Sequence, residues 1–188
     1  MGGSGPVAKP VPHLKVKLIV GLLSGFPALF DRAEEILVER FGPVSHCSDT
    51  IPFTFSDYYE PEMGAGLLRR FAAFERPADA GDLAEIKLWT NGLEMKLAGP
   101  EWPVPRPINL DPGYVDLSKL VLASTKDHAH RVYLGKGIFA EVTLSYTDGA
   151  FRPLPWTYPD FRTEAYREFF ERVRADFYKS LRAPGNST

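Results

Sequence analysis

The sequence predicts an α+β fold, with helices laid on one face of a mainly antiparallel sheet. Three observations carry this reading. VKLIVGLLSG, Val16 to Gly25, is apolar almost throughout, and its length and Val/Ile content suit a buried strand that leads into a helix. Asp148-Gly149 stands between two β-rich runs, among the strongest short hairpin signals. TEAYREFFERVRADFYKSL keeps Tyr166, Phe169, Phe170, Val173, Phe177 and Leu181 on one helical face.

The elements follow in order. FPALFDRAEEILVERFG repeats Leu29, Phe30, Ala33, Ile36, Leu37 and Phe41 at helical spacing, with Pro27 in its first turn and Gly42 at its stop. PVSHCSDTIPFTFSDYY holds β-type residues broken by Pro52, which predicts one bent strand or two short ones. LLRRFAAFERP predicts the next strand, antiparallel to its predecessor. ADAGDLAEIKLWTNGLEMKLA predicts a second helix with Leu83, Ile86, Leu93 and Leu97 inward. Asp111-Pro112-Gly113 reads as a turn. DLSKLVLAS reads as a short helix capped by Asp116 or Ser118, in preference to a strand. AHRVYL, IFAEVTLSYT and AFRPL, joined at Gly135-Lys136-Gly137 and Asp148-Gly149, make a meander.

This order, β-α-β-β-α and then a meander and a helix, resembles a ferredoxin-like split β-α-β unit extended by a C-terminal antiparallel meander and a final amphipathic helix. One domain is expected over residues 15–182. The Gly- and Pro-rich start, 1–14, reads as a flexible leader and 183–188 as a flexible tail. Many of the 17 prolines fall in GPEWPVPRP, RPLPWTYP and the leader, which predicts ordered connections packed by rings in a chain that is 13% aromatic.

Composition narrows the function classes. With 44% hydrophobic and 24% charged residues the chain has the balance of a water-exposed globular protein. A net charge of −2 and the lack of an RNP-type motif disfavour nucleic acid as a partner. No run approaches the ~20 apolar residues of a membrane span. The single cysteine, Cys47, rules out an intramolecular disulfide, suits a cytoplasmic location, and reads as a small buried or half-buried residue.

ASTKDHAH, Ala123 to His130, carries two of the four histidines. If a strand begins early, His128 and His130 share one face. H-x-H can present two imidazoles to a metal, with Glu141 across the hairpin as third ligand, so a divalent metal is kept open and no other cofactor is named. The hairpin register decides what Glu141 does. With a three-residue Gly135–Gly137 loop, Glu141 opposes Arg131 as an ion-pair partner. With a two-residue loop it opposes His130 as an acid/base pair. The longer loop is favoured.

Lys119, Lys126, Arg131 and Lys136, with Ser124 and Thr125, form a mix that can hold a phosphate or carboxylate, although the Walker and dinucleotide glycine motifs are absent. SDYYEPEMG adds Asp57, Tyr59 and Glu60 as further ligand-binding candidates. PLPWTYPDFR, with Asp160 and Arg162, can line a groove.

KLIVGLLSG, FSDYYEPEMG, NLDPGY, SKLVLASTKDHAHRVYLGKGIFAEVTL and LPWTYPDFR together resemble a prokaryotic family, domain of unknown function 4416, over Val16 to Leu181. The resemblance implies one intact domain and brings no activity to carry over. The residues point to a small enzyme or ligand binder for a phosphate- or nucleotide-type anion. His128 or His130 would move a proton, oriented by Asp127 or Glu141. The alternative is a non-catalytic module that forms a homodimer through its sheet or aromatic surface.

Overall fold

The structure is a computed structural model that describes residues 8–182. The first seven residues of the expected leader and the whole expected tail lie outside the described residues. In chain order the strands are β1 (Val16–Ser24), β2 (Val44–Cys47), β3 (Ile51–Pro52), β4 (Leu68–Ala78), β5 (Asn109–Val115), β6 (Lys119–Ser124), β7 (Val132–Gly135), β8 (Ile138–Thr147) and β9 (Ala150–Pro153). The helices are α1 (Pro27–Phe41), α2 (Glu60–Met63), α3 (Leu83–Leu97) and α4 (Glu164–Arg182). The strands form one sheet in the order β2-β4-β1-β5-β6-β8-β7, with β3 on β4 and β9 on β8. Every pairing is antiparallel.

β1 sits inside the sheet and has no polar face because both its faces are covered. Leu18, Val20 and Leu22 pack with Leu29, Phe30, Ala33 and Leu37 of α1 and with Ile86, Leu93 and Leu97 of α3. Ile19 points the other way, into a cluster with Phe169, Phe170 and Val173 of α4. The expectation of helices on one face is therefore corrected: α1 and α3 cover one face and α4 the other. The heavy aromatic stripe of α4 is what permits this. Phe71 of β4 meets the rings of Tyr166, Phe169 and Phe170 at 4.7, 5.7 and 5.0 Å. Each such buried side chain contributes about 1.5–3 kcal/mol.

Two further expectations are corrected. DLSKLVLAS is not a helix but a turn over residues 116–118 followed by the strand β6 itself. Asp116 does act as a cap, but of that turn: its Oδ1 accepts from the Ser118 and Lys119 amides at 2.6 and 2.8 Å. β6 is covered on both sides, Leu120 toward α4 and Val121 and Ala123 toward α3, so its apolar run carries no period that separates strand from helix. Asp111-Pro112-Gly113 is not a turn but the middle of β5. A Cβ on Gly113 would lie 2.3 Å from the Val121 carbonyl oxygen, so glycine is required where β6 crosses closest.

Both meander hairpins turn on two residues with positive φ, Lys136 (55°) and Gly137 (77°), then Asp148 (50°) and Gly149 (79°). The first has a two-residue turn, but a register slip between Tyr133 and Gly135 restores the pairing of the longer loop: Val132 opposes Ala140 and Tyr133 opposes Phe139.

Candidate functional site

β5 pairs with β1 along its whole length, Asn109 to Val115. It pairs with β6 only over Gly113–Val115 and Leu120–Leu122. Pro112, which has no amide hydrogen to donate, marks the end of that ladder. Beyond it Asn109 and Asp111 on β5, and Leu122, Ala123 and Ser124 on β6, line a cavity of about 1010 Å³. Helix α3 contributes Lys87, Asn91 and Glu94 to its wall, β4 contributes Arg69, and the segments 53–59 and 158–161 close its sides.

The floor is a network of buried charges. Gly21 leaves room for Arg69 to reach across β1: a Cβ there would stand 3.3 Å from the guanidinium and 3.0 Å from the Phe71 ring. Arg69 Nη1 then bonds Asp111 Oδ2 at 3.2 Å, and its Nη2 stands 3.9 Å from Asp160 Oδ2. From α3, Lys87 Nζ donates to the Leu110 carbonyl at 2.7 Å and lies 3.4 Å from Asp111 Oδ1. Asn109 Nδ2 donates to Asp111 Oδ2 at 2.6 Å. Glu94 takes the Leu110 amide at 2.7 Å and Arg106 at 3.0 Å, and Arg106 also contacts Asn109.

The carboxyls separate in acidity. Burial works against ionised Asp111, but Lys87 and Arg69 outweigh it and hold Asp111 below the ordinary carboxylate range. At Asp160 burial wins over Arg69 and pushes the carboxyl up. Burial likewise raises Glu94 against Lys87 and Arg106. Burial also raises the Tyr59 hydroxyl well above its usual range, with Asp111 adding to the effect and Arg69 opposing it.

The wall near β8 holds the residues of the ASTKDHAH stretch. Glu141 Oε2 accepts Arg131 Nε at 2.9 Å and His130 Nε2 at 3.0 Å, so one carboxylate serves both partners that the two registers offered. Arg131 is fully engaged: its Nη1 donates to Ser124 Oγ at 2.7 Å and the Lys126 carbonyl at 2.9 Å, and its Nη2 to Tyr158 Oη at 3.0 Å. His128 and His130 lie in a turn before β7, not on a strand, and their rings stack at 5.8 Å with only 10° between planes. Trp156 stacks on the far side of His130 at 5.4 Å. Among the described residues no three His, Cys, Asp or Glu side chains are grouped to hold a metal ion.

The roof comes from the segment after β3. Phe53 meets Tyr59 at 5.9 Å, and Tyr58 meets Tyr59 at 5.2 Å. The strap after β9 fixes Tyr158 and Asp160. Arg162 donates to the carbonyls of Thr157 at 2.8 Å and Pro155 at 3.0 Å, and Trp156 Nε1 donates to the Val142 carbonyl at 2.8 Å.

Of the candidates read from sequence, the cavity collects Ser124, Thr125, Lys126, His128, Arg131, Glu141 and Tyr59. His130 stands behind Glu141. Asp127, Asp57 and Glu60 are not among the lining residues. Lys119 is tied to Asp116 at 2.8 Å, where β6 begins, and Lys136 pairs with Glu85 at the hairpin tip; neither lines the cavity. Cys47 is exposed, which corrects the expectation of a buried or half-buried residue, although partial desolvation of its thiol, with Glu34 beside it, still pushes that thiol up to about 11.

Sequence reasoning missed Arg69, Lys87, Asn109, Asp111, Glu94 and Arg106. The available signal was a charge inside an apolar frame, such as Arg69 in LLRRFAAF and Lys87 on the inward side of AEIKLW.

The family model for DUF4416, a domain of unknown function, matches residues 14–177. The chain belongs to that family. The match spans β1 through most of α4, so the cavity and every group that lines it fall inside the family domain. No curated protein and no solved structure matches the chain.

Proposed function

We propose that this DUF4416 protein binds a phosphate- or nucleotide-type anionic small molecule in the cavity between β5 and β6, and that His128 serves as a proton-moving group there. One observation carries the reading. Of the lysines and arginines lining the cavity, Lys126 alone has no carboxylate partner among the described residues. Its Nζ rests on Tyr58, 2.7 Å from the hydroxyl and 4.0 Å from the ring centre. The Ser124 and Thr125 hydroxyls and His128 line the same wall. A positive charge, hydroxyls and an imidazole beside aromatic rings are the groups that recognise a phosphate joined to a flat or apolar body. The cavity volume suits a ligand of nucleotide size.

The fold reading supports this placement. The order β2-β4-β1-β5 is that of a ferredoxin-like unit, and β6 to β9 with α4 are additions to it. The cavity then lies where the added meander departs from the ferredoxin-like unit. We take residues 15–182 as one domain working in the cytoplasm. Among the described residues no helix is long and apolar enough to cross a membrane.

Thermal denaturation with nucleoside phosphates, sugar phosphates and dicarboxylates tests the reading on wild type and Lys126→Ala. A ligand at a hundred times its Kd stabilises by about 2.7 kcal/mol. A phosphate class that raises Tm by several degrees in wild type only is the expected result. No stabilisation by any class contradicts it.

A second reading has its own observation. β7 is an edge strand, and Val132, Tyr133 and Leu134 on it are exposed. An apolar edge favours self-pairing into a homodimer. Light scattering of wild type and Tyr133→Lys tests it: a dimer that the substitution dissolves supports it, and a wild-type monomer contradicts it.

A further inference from the structure

The cavity carries a second polar region that the anion reading does not use. Asp160 is only 4% exposed, yet it lines the cavity. Among the described residues no side chain hydrogen-bonds its carboxylate, which is helped only by the backbone amides of Phe161 and Asp160; its nearest cation, Arg69 Nη2, stands at 3.9 Å, beyond hydrogen-bond length. Arg69 is 3% exposed; its Nη2, the nitrogen that faces Asp160, makes no hydrogen bond among the described residues, while its Nε is enclosed beside Tyr166 of α4. The Tyr59 hydroxyl, in the same electrostatic cluster, also lacks a hydrogen-bond partner among the described residues. An acceptor and a donor 3.9 Å apart, with Tyr59 lining the same cavity, therefore keep spare capacity, and buried groups of this kind are otherwise costly to keep.

We infer that Asp160, Arg69 and Tyr59 form a subsite for neighbouring hydroxyl groups, so that the ligand class is a phosphorylated sugar or nucleotide with a free vicinal diol. This rests on the anion reading above and goes further than it. The chemistry selects against charged groups here. A phosphate would face both Asp111 and Asp160, and an ammonium would face Arg69 and Lys87. A neutral diol can donate to the two oxygens of Asp160 while accepting from Arg69 Nη2–H and Tyr59 O–H. The Phe53 ring, with the Arg69 guanidinium 5.4 Å from its centre, offers an apolar surface beside these groups. Lys126, which lines the same cavity, takes the phosphate of the same molecule.

The test is calorimetric titration of wild type, Asp160→Asn and Lys126→Ala with AMP, 2′,3′-dideoxy-AMP, ribose 5-phosphate and inorganic phosphate. Wild type should bind AMP or ribose 5-phosphate at least about tenfold more tightly than the dideoxy compound or phosphate alone, as expected when a charged acceptor loses its hydroxyl partner. Asp160→Asn should abolish that discrimination. Lys126→Ala should weaken all four probes. Melting curves show that each variant is folded. If wild type and Asp160→Asn bind AMP and its dideoxy analogue alike, and Lys126→Ala still loses them, the diol subsite is overturned and the anion reading stands. If no probe binds wild type, both fall.

Discussion

Arg69 and Asp111 stand on strands that are not neighbours, and they meet only because β1 places Gly21 between them. The guanidinium passes over the glycine to reach Asp111 Oδ2 at 3.2 Å, while Lys87 arrives from α3 at Asp111 Oδ1. One carboxylate thus ties β4 and α3 to β5 at the floor of the cavity.

Removing one partner from such a buried set leaves the others uncompensated. Asp111→Ala should cost about 3–5 kcal/mol of stability, read by urea unfolding. Gly21→Ala should cost about 1–3 kcal/mol, because its methyl group would crowd the Phe71 ring and the Arg69 guanidinium. A Gly21→Ala protein as stable as wild type would show that the crossing is not tight.

Acid should separate Asp111 from Asp160. The folded state lowers the pKa of Asp111 below its unfolded value, so its contribution to stability is present above the unfolded pKa and is lost as pH falls through the folded one. Asp160 is raised, so folding favours its protonated form and its ionised form weighs against stability above the folded pKa. Asp160→Asn should therefore raise Tm at pH 7, and the gain should vanish as pH falls into the ordinary carboxylate range. A loss of stability at pH 7 would contradict this. A stabilising substitution at a cavity carboxyl is also what a residue retained for binding predicts.

Glu141 holds Arg131 and His130 through the same oxygen, and the two should not be equal. Both Arg131 and Glu141 have side chains 3% exposed, whereas His130 is 24% exposed. Arg131→Ala should destabilise by about 3–5 kcal/mol. His130→Ala should cost about 1 kcal/mol, since Glu141 keeps its arginine. Chemical unfolding of the two variants and the double mutant checks this, with strong coupling expected for Arg131–Glu141.

Gly113→Ala should be the most damaging single methyl group in the sheet. Its Cβ would overlap the Val121 carbonyl, so β6 must move away from β5 at the three residue pairs that still join them. Loss of cooperative unfolding or of expression is the expected result. Wild-type stability would mean that the strands part more easily than the structure shows.

The parts of the fold that could be read from sequence were those with a period or a turn. Pro27 and Gly42 bound α1, and Asp148-Gly149 makes its hairpin. α4 shows its buried face in Tyr166, Phe169, Phe170, Val173 and Phe177. β6 was misread because a strand covered on both sides loses its alternation. β5 was misread because Asp-Pro-Gly, a turn triplet by local preference, is held extended by β1 and by the close crossing of β6.

The site divides the same way. The wall from Ser124 to Arg131 was legible as a local cluster of polar residues. Both partners weighed for Glu141, Arg131 and His130, contact it. The floor was not legible, because Arg69, Lys87, Asp111 and Asp160 are spread over four elements and meet only in the folded chain. Lys119 and Lys136, close to that wall in sequence, are carried away by strand geometry to the two ends of β6 and β8.

The most direct measurement of the central claim is an amide NMR titration of the protein with AMP. The account predicts shifts confined to Ser124–His128, Tyr58–Tyr59, Arg69 and Tyr158–Phe161, saturating with one ligand per chain and requiring more ligand in Lys126→Ala. Shifts scattered along β7 or over α1, or none at all, would contradict a ligand site between β5 and β6.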